Sequence, residues 1–171
     1  MREIVENIKL LVCDVDGVMT DGGLYYSEEG QIIKRFCVQD GLGIKLAQHA
    51  GLEIAVITGL VSRAVRKRIE GLGICEYHEG HREKGGLLKE LVVRKGLSLS
   101  QVAYLGDDWV DAAPMRMVGL PMAVKNAQPE IKRLALWISS KRGGEGAVRE
   151  AISFILRAQG KLKGVWERWI D

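Results

Sequence analysis

Residues 8–23, "IKLLVCDVDGVMTDGG", run from an apolar stretch straight into two acids, Asp14 and Asp16, on either side of Val15. An uninterrupted apolar run of strand length reads as a strand buried on both faces, the kind found at the centre of a parallel sheet. If that strand continues through residue 16, the pleat turns Asp14 and Asp16 one way and Val15 the other. In an open parallel sheet the ligand crevice lies beyond the carboxyl ends of the strands, where both acids fall. Two like charges there need a cation, or one must hold a proton.

The rest of the chain repeats the alternation. Further strand candidates are "EIAVIT" (53–58), "ICEYH" (74–78), "QVAYLG" (101–106), "PMAV" (121–124) and "LWIS" (136–139). Helix-period segments separate them, which predicts an α/β fold with a Rossmann-like, mostly parallel sheet and helices on both faces. Asp40 is the expected N-cap of "DGLGIKLAQHAG", and Ser62 that of "SRAVRKRIEGLG", where Val65, Ile69 and Leu72 share one face. A last helix over 145–159 repeats the spacing with Val148, Ile152 and Ile155. One stretch breaks the pattern: 22–38 carries two short β-rich runs around "SEEG" and predicts a β-hairpin inserted after the first strand. The tail, 160–171, carries Trp166 and Trp169, expected to pack against protein in a core or an interface.

At 171 residues, 47% hydrophobic and 27% charged, the chain suits one domain, 1–171. A net charge of +3 with no basic block and interleaved aromatics argues against a nucleic-acid surface. No apolar stretch has the length of a membrane span, and the apolar N-terminal stretch is too short and too acidic for a signal peptide. Cys13, Cys37 and Cys75 are odd in number and far apart, which argues against disulfides or a zinc site and for a reducing cytoplasm.

Three more strand or loop ends carry polar groups suited to a phosphate. Thr58 and Gly59, in "ITG", offer a hydroxyl and backbone N–H groups. Asp107 and Asp108 end another strand, with Asp111 a turn later, and Lys84 in "EGHREKGG" stands near a helix start that favours an anion. Each alone has a simpler role: a cap for Thr58, a solvated lysine for Lys84, an acidic helix start for the three acids. Their common position at strand or loop ends is what the simpler roles leave unexplained.

In this order "DVDGVMTDG", "ITG", Lys84 and "GDDWVD" resemble the four motifs of the haloacid dehalogenase superfamily of phosphotransferases, from residue 8 to about residue 125. "DGVMTDGGLYY", "VQDGLGIKLAQHAG", "RIEGLGI" and "GGEGAVRE" extend the resemblance to its small capless branch, which hydrolyses sugar-acid phosphates such as 3-deoxy-D-manno-octulosonate 8-phosphate. The resemblance implies that Asp14 attacks phosphorus to form an aspartyl-phosphate, and that Asp16 protonates the leaving alcohol and then deprotonates water. That donation near neutral pH asks for an Asp16 pKa above that of Asp14. Mg²⁺ would be held by Asp14, the Asp16 backbone carbonyl and Asp107, with Asp108 and Asp111 as auxiliary groups behind them. Thr58, Gly59 and Lys84 would hold the phosphate. Asp16, Lys84, Cys37, Val38, Gln39, Asp40, Gly41, Lys45, Leu60 and Arg68 would face the sugar acid.

The resemblance also implies a homotetramer, in which a neighbouring subunit covers the open site and the hairpin residues Leu24, Tyr25, Tyr26, Ile32, Ile33 and Phe36 pack between subunits. A hairpin folded back on its own sheet is the alternative. Relatives commonly have Asn at Cys37, Arg at Leu60 and Arg at Glu145, so the sugar is less fixed than the chemistry. Arg63, Arg66 and Lys67 either compensate or form a solvated helix face. A nonulosonate 9-phosphate phosphatase, a phospho-accepting receiver domain and a silent oligomerisation domain remain as alternatives. A receiver domain keeps its acidic pair and its phospho-acceptor on different strands, whereas both acids of "DVD" follow the first one here.

Overall fold

A computed structural model describes residues 1–169; Ile170 and Asp171, the last two residues of the tail, lie outside the described residues. Six parallel strands form one sheet: β1 (Leu10–Cys13), β4 (Glu53–Ile57), β5 (Glu76–His78), β6 (Val102–Gly106), β7 (Leu120–Ala123) and β8 (Trp137–Ile138), in the spatial order β5-β4-β1-β6-β7-β8. The chain leaves β1 toward β4 and β5, then returns to build outward from β6. That reversal puts the switch point between β1 and β6, where an α/β sheet opens its crevice. β1 lies inside the sheet, and all four of its residues are fully buried, as its unbroken apolar run predicts.

Helices α1 (Arg2–Glu6), α2 (Val38–His49), α7 (Ala147–Ala158) and α8 (Leu162–Glu167) pack as one group, with α3 (Arg63–Leu72) against α2. Helices α4 (Lys84–Arg94), α5 (Ala112–Met115) and α6 (Pro129–Leu134) form another. Helix α3 follows its sequence closely. The Ser62 side chain accepts from the Val65 N–H, Val65, Ile69 and Leu72 are buried, and Gly73 closes the helix with φ +64°.

Two local expectations are corrected. The first strand stops at Cys13 rather than continuing through residue 16, so Asp14 and Asp16 sit in a loop and no pleat aligns them. Asp40 lies in the first turn of α2 and does not cap it; the N-cap is Cys37. The Asp40 carboxylate instead accepts from the Arg149 N–H, 2.8 Å away, at the start of α7. The N-cap of α7 is Gly146, which has no side chain to cap it, so an acid from a neighbouring helix takes that task. The contact needs the two helices close, and a Cβ on Gly43 of α2 would fall 3.2 Å from the Arg149 backbone.

The hairpin forms as expected, with β2 (Tyr25–Tyr26) antiparallel to β3 (Ile32–Ile33) and the Gly30 N–H closing the turn on the Ser27 carbonyl. It does not fold back on the main sheet. Leu24, Tyr25, Tyr26, Ile32 and Ile33 are 45–64% exposed, and Phe36, at the base, packs against the core. In the tail Val165 is buried, but Trp166 and Trp169 remain exposed, so a core role for the tryptophans is not met. All three cysteines are free, and among the described residues no helix is long and apolar enough to cross a membrane.

Candidate active site

The loop after β1 is held from three sides. The Asp14 N–H bonds to the Leu105 carbonyl of β6 at 3.1 Å, and the N–H groups of Val18, Met19 and Thr20 converge on the Val15 carbonyl. Gly17 turns the chain with φ +88°, and a Cβ there would strike the Asp107 carboxylate, so glycine is required twice over. From behind, Asn126 donates to the Gly17 carbonyl (3.0 Å) while accepting from the Gly143 N–H (2.7 Å), and the Gly144 N–H donates to the Val18 carbonyl (3.1 Å). These contacts give "GGEG" a physical role: without side chains at 143 and 144 the segment lies directly against the loop. The sequence gives Asn126 no role, since a single Asn between a strand and a helix carries no periodic or motif signal.

Lys84 is the first residue of α4 and is 1% exposed. Its Nζ lies 2.7 Å from Oδ1 of Asp14 and 2.7 Å from Oδ1 of Asp111. Burial works against the ammonium, but the two carboxylates outweigh it and hold the Lys84 pKa above its usual value. Asp111 is fully engaged: Oδ1 also accepts from the Tyr104 hydroxyl (2.8 Å), and Oδ2 accepts from the N–H groups of Asp107 (2.9 Å) and Asp108 (3.4 Å). Its lone pairs are therefore used in fixing Lys84 and the loop after β6. Asp108 is exposed and turned to its own backbone, accepting from the Trp109 N–H at 2.7 Å, so it serves as a helix cap.

Burial, then the Asp111 charge, pushes the Asp14 carboxyl up to about 7 against the pull of Lys84. Burial and the charges of Asp14, Asp111 and Asp108 push Asp107 up to about 8. Asp107 Oδ1 is buried with no hydrogen-bond partner. Carboxylate oxygens of Asp14, Asp107 and Asp111 lie within 4.8 Å of one another. Three carboxylates against one ammonium leave two negative charges when all are ionised, and an orphaned oxygen faces that surplus. A hard divalent cation fits this set: it takes oxygen ligands, offsets both charges and satisfies Asp107.

Asp16 is half-buried and forms an ion pair with Lys34, which follows β3 of the hairpin. The two acids of "DVD" therefore each have a lysine, Asp14 from α4 and Asp16 from the hairpin. Lys34 carries little signal in the sequence: in "IIKRF" it stands beside Arg35, and nothing in the spacing says which of the two is buried. Thr58 is buried at the end of β4, held by the bond from its N–H to the His78 carbonyl (2.9 Å), with Gly59 half-buried and Leu60 exposed beyond it.

The residues expected around the sugar divide. Arg68 donates from Nη2 to the Cys37 carbonyl at 3.3 Å, and its guanidinium carbon stands 5.8 Å from the Phe36 ring centroid. A Cβ on Gly41 would strike that guanidinium, so Arg68, Phe36, Cys37 and Gly41 form one packed junction at the top of α2. Val38 and Gln39 are exposed on the same turn, and Asp40 is buried under α7. Lys45 lies farther along α2, its Nζ 3.3 Å from where a Cβ on Gly73 would stand, facing the groove lined by His49 and Val165. Arg63, Arg66 and Lys67 are exposed on α3, with Arg66 paired to Glu79, and Glu145 is exposed.

Comparison with known proteins agrees with this geometry. Residues 70–152 match the family model of haloacid dehalogenase-like hydrolases. The 3-deoxy-D-manno-octulosonate 8-phosphate phosphatase KdsC of Haemophilus influenzae is 42% identical over 161 residues, covering 94% of this chain and 89% of that protein. The crystal structure of the Moraxella catarrhalis phosphatase of that name, in complex with magnesium, phosphate and KDO, superposes with a TM-score of 0.96 at 36% identity, covering 98% of this chain and 97% of that one. The cobalt-bound H. influenzae structure gives a TM-score of 0.89 at 42% identity over 93% of each chain. The fold, the buried lysine between two aspartates and these likenesses lead to one assignment: the chain belongs to the haloacid dehalogenase-like hydrolases, in the family of the 3-deoxy-D-manno-octulosonate 8-phosphate phosphatases.

Proposed function

We propose that the whole chain works as one Mg²⁺-dependent phosphatase domain that hydrolyses 3-deoxy-D-manno-octulosonate 8-phosphate to the free sugar acid and phosphate. The observation that carries the reading is the Asp14–Lys84–Asp111 arrangement beside the unpartnered Asp107 oxygen: a buried nucleophile with fixed orientation next to a place for a dication. Uncatalysed hydrolysis of a phosphate monoester is so slow that enzymes accelerate such reactions by up to about 10²¹-fold, and charge neutralisation supplies much of the effect. Asp14, the Asp16 carbonyl and Asp107 would hold the metal, which would supply Lewis-acid stabilisation of phosphoryl charge.

The chain's own residues do the rest. Lys84 binds Oδ1 of Asp14 and so sets which way the carboxylate faces. Asp14 attacks phosphorus; the P–O bond to the sugar breaks as Asp16 gives its proton to the departing alkoxide. Asp16 then takes a proton from water, the water oxygen bonds to phosphorus, and Asp14 leaves as a free carboxylate. Thr58 and the Gly59 N–H hold the transferring oxygens together with Lys84.

The sugar is tested by steady-state turnover of the octulosonate 8-phosphate beside a nonulosonate 9-phosphate. A higher kcat/KM for the eight-carbon ester is expected. Preference for the nine-carbon ester would overturn the substrate and leave the chemistry, and would turn attention to Cys37, Leu60 and Glu145.

The working form in this reading is a homotetramer in the cytoplasm. Free cysteines support the compartment. The exposed hairpin supports the assembly, since five large apolar side chains around a two-stranded ribbon make a patch that water disfavours. Light scattering should give four subunits for the wild type and fewer for the double variant Tyr26→Glu with Ile33→Glu. A monomeric wild type would remove the proposal.

A further inference from the structure

Lys34 stands out against its surroundings. Its neighbours Ile32, Ile33 and Arg35 are exposed, yet its own side chain is only 2% exposed. Burying an ammonium is costly unless a carboxylate receives it. The carboxylate is Asp16, whose Oδ1 accepts the hydrogen bond from Lys34 Nζ. The bridge between Thr20 and Phe36 ties the base of the hairpin to the loop that carries Asp14 and Asp16. Further out, Tyr25 donates to Asp21 at 2.8 Å, and Asp21 also accepts from the Gly23 N–H at 3.0 Å, so the strand that enters the hairpin is anchored as well.

The pair is one-sided. Lys34 takes Oδ1, while Oδ2 of Asp16 has no protein hydrogen-bond partner among the described residues, and the Asp16 side chain is 28% exposed. The arrangement holds one oxygen and leaves the other unpaired on a partly exposed side chain, in the same loop as Asp14.

We propose that Lys34 is a positioning residue for the acid/base: by gripping Oδ1 it presents Oδ2 of Asp16 to the ester oxygen that leaves. The proposal rests on the reading of Asp16 as proton donor given above. It assigns the hairpin a task within its own subunit, separate from any contact between subunits. In this role Lys34 touches neither phosphorus nor the carboxylates of Asp14 and Asp107 and acts only through the Asp16 side chain. Misplacing a catalytic group by about 1 Å can lower a rate by about 100-fold, and general acid catalysis is worth about 10²- to 10⁴-fold, so losing the grip has room to show.

The test uses esters that differ in their need for that proton. The octulosonate 8-phosphate expels an alkoxide, which must be protonated as it leaves. An activated ester, p-nitrophenyl phosphate or acetyl phosphate, expels a stable anion. Lys34→Met should lower kcat/KM for the sugar ester by about 30-fold or more, within the range of general acid catalysis, and that for the activated ester by less than about threefold. Lys34→Gln, which restores a neutral donor for Oδ1, should recover part of the sugar-ester rate and serves in place of the methionine variant if that one does not fold. Parallel losses on both esters would mean a merely structural lysine, and no loss on either would mean an idle one; both overturn the proposal. Wild-type protein that cleaves neither ester would overturn the phosphatase reading itself, whereas wild-type turnover with an unchanged ratio in the variants would overturn only the role of Lys34.

Discussion

Asp14→Asn is expected to leave a folded protein whose turnover falls by about 10⁴-fold or more, the scale seen when a nucleophile is removed from an otherwise intact site. The amide has nearly the shape of the carboxylate, but it lacks the charge and lone-pair basicity that attack on phosphorus needs. The same substitution should raise the stability of the metal-free protein at high pH. Asp14 titrates at about 7 when folded, and a carboxylate of this type titrates at about 3.9 in an unfolded chain. The folded state therefore holds the proton more tightly, so stability declines as pH rises from about 4 to about 7 and the penalty is fully present above that. Asn has no charge to bury. In chelator at pH 8 the variant should melt above the wild type, with the gap closing toward pH 4. Wild-type turnover in the variant would remove Asp14 as nucleophile, and a lower melting temperature at pH 8 would contradict the assignment of a penalised buried charge.

Lys84→Met is expected to be the most damaging single change to stability. The lysine is the cation between two buried carboxylates, each 2.7 Å away, and both side chains are 6% exposed or less. Removing one member of a buried ionic cluster costs about 3–5 kcal/mol, because the remaining charges keep their desolvation penalty and lose their compensation. For a chain of this size that corresponds to a fall of roughly 10 °C in Tm at pH 8. The loss should shrink at pH 5. Without Lys84 the folded-state pKa of Asp14 rises farther above its unfolded value, so the variant takes up protons on folding and gains stability as pH falls through that window. Turnover should fall as well, since in the proposed mechanism Lys84 both fixes the Asp14 carboxylate and holds the phosphoryl oxygens. A variant as stable as wild type at pH 8 would show that the carboxylates do not depend on the ammonium.

The two acidic motifs were legible in the sequence because they follow runs that are unambiguous strands. "LLVC" before Asp14 and "VAYLG" before Asp107 form adjacent strands, and the reversal of strand order between them places both acids in one crevice. Lys84 was legible by its place at a helix start, although the sequence alone does not say that it is buried between Asp14 and Asp111. What stayed hidden depends on contacts between distant elements. Asp40 has the local spacing of a cap for α2, but close packing at Gly43 gives its carboxylate to α7. The pleat argument for Asp14 and Asp16 failed because the chain leaves the sheet at Cys13 to make the turn at Gly17. Lys34 sits in a hairpin whose relation to the sheet is set by the bridge from Thr20 to Phe36, a contact that no periodicity announces. Arg68, expected at the sugar, is held in place by the Cys37 carbonyl and the Phe36 ring, a junction of α3 with the start of α2 that spacing does not announce.

The most direct measurement is phosphate release from 3-deoxy-D-manno-octulosonate 8-phosphate by the purified protein, with Mg²⁺ and with chelator, beside a panel of hexose and pentose phosphates. The account predicts turnover that requires the metal and a kcat/KM for the octulosonate ester above that of every other ester in the panel. Release that is indifferent to the chelator, or no release from any ester, would contradict it.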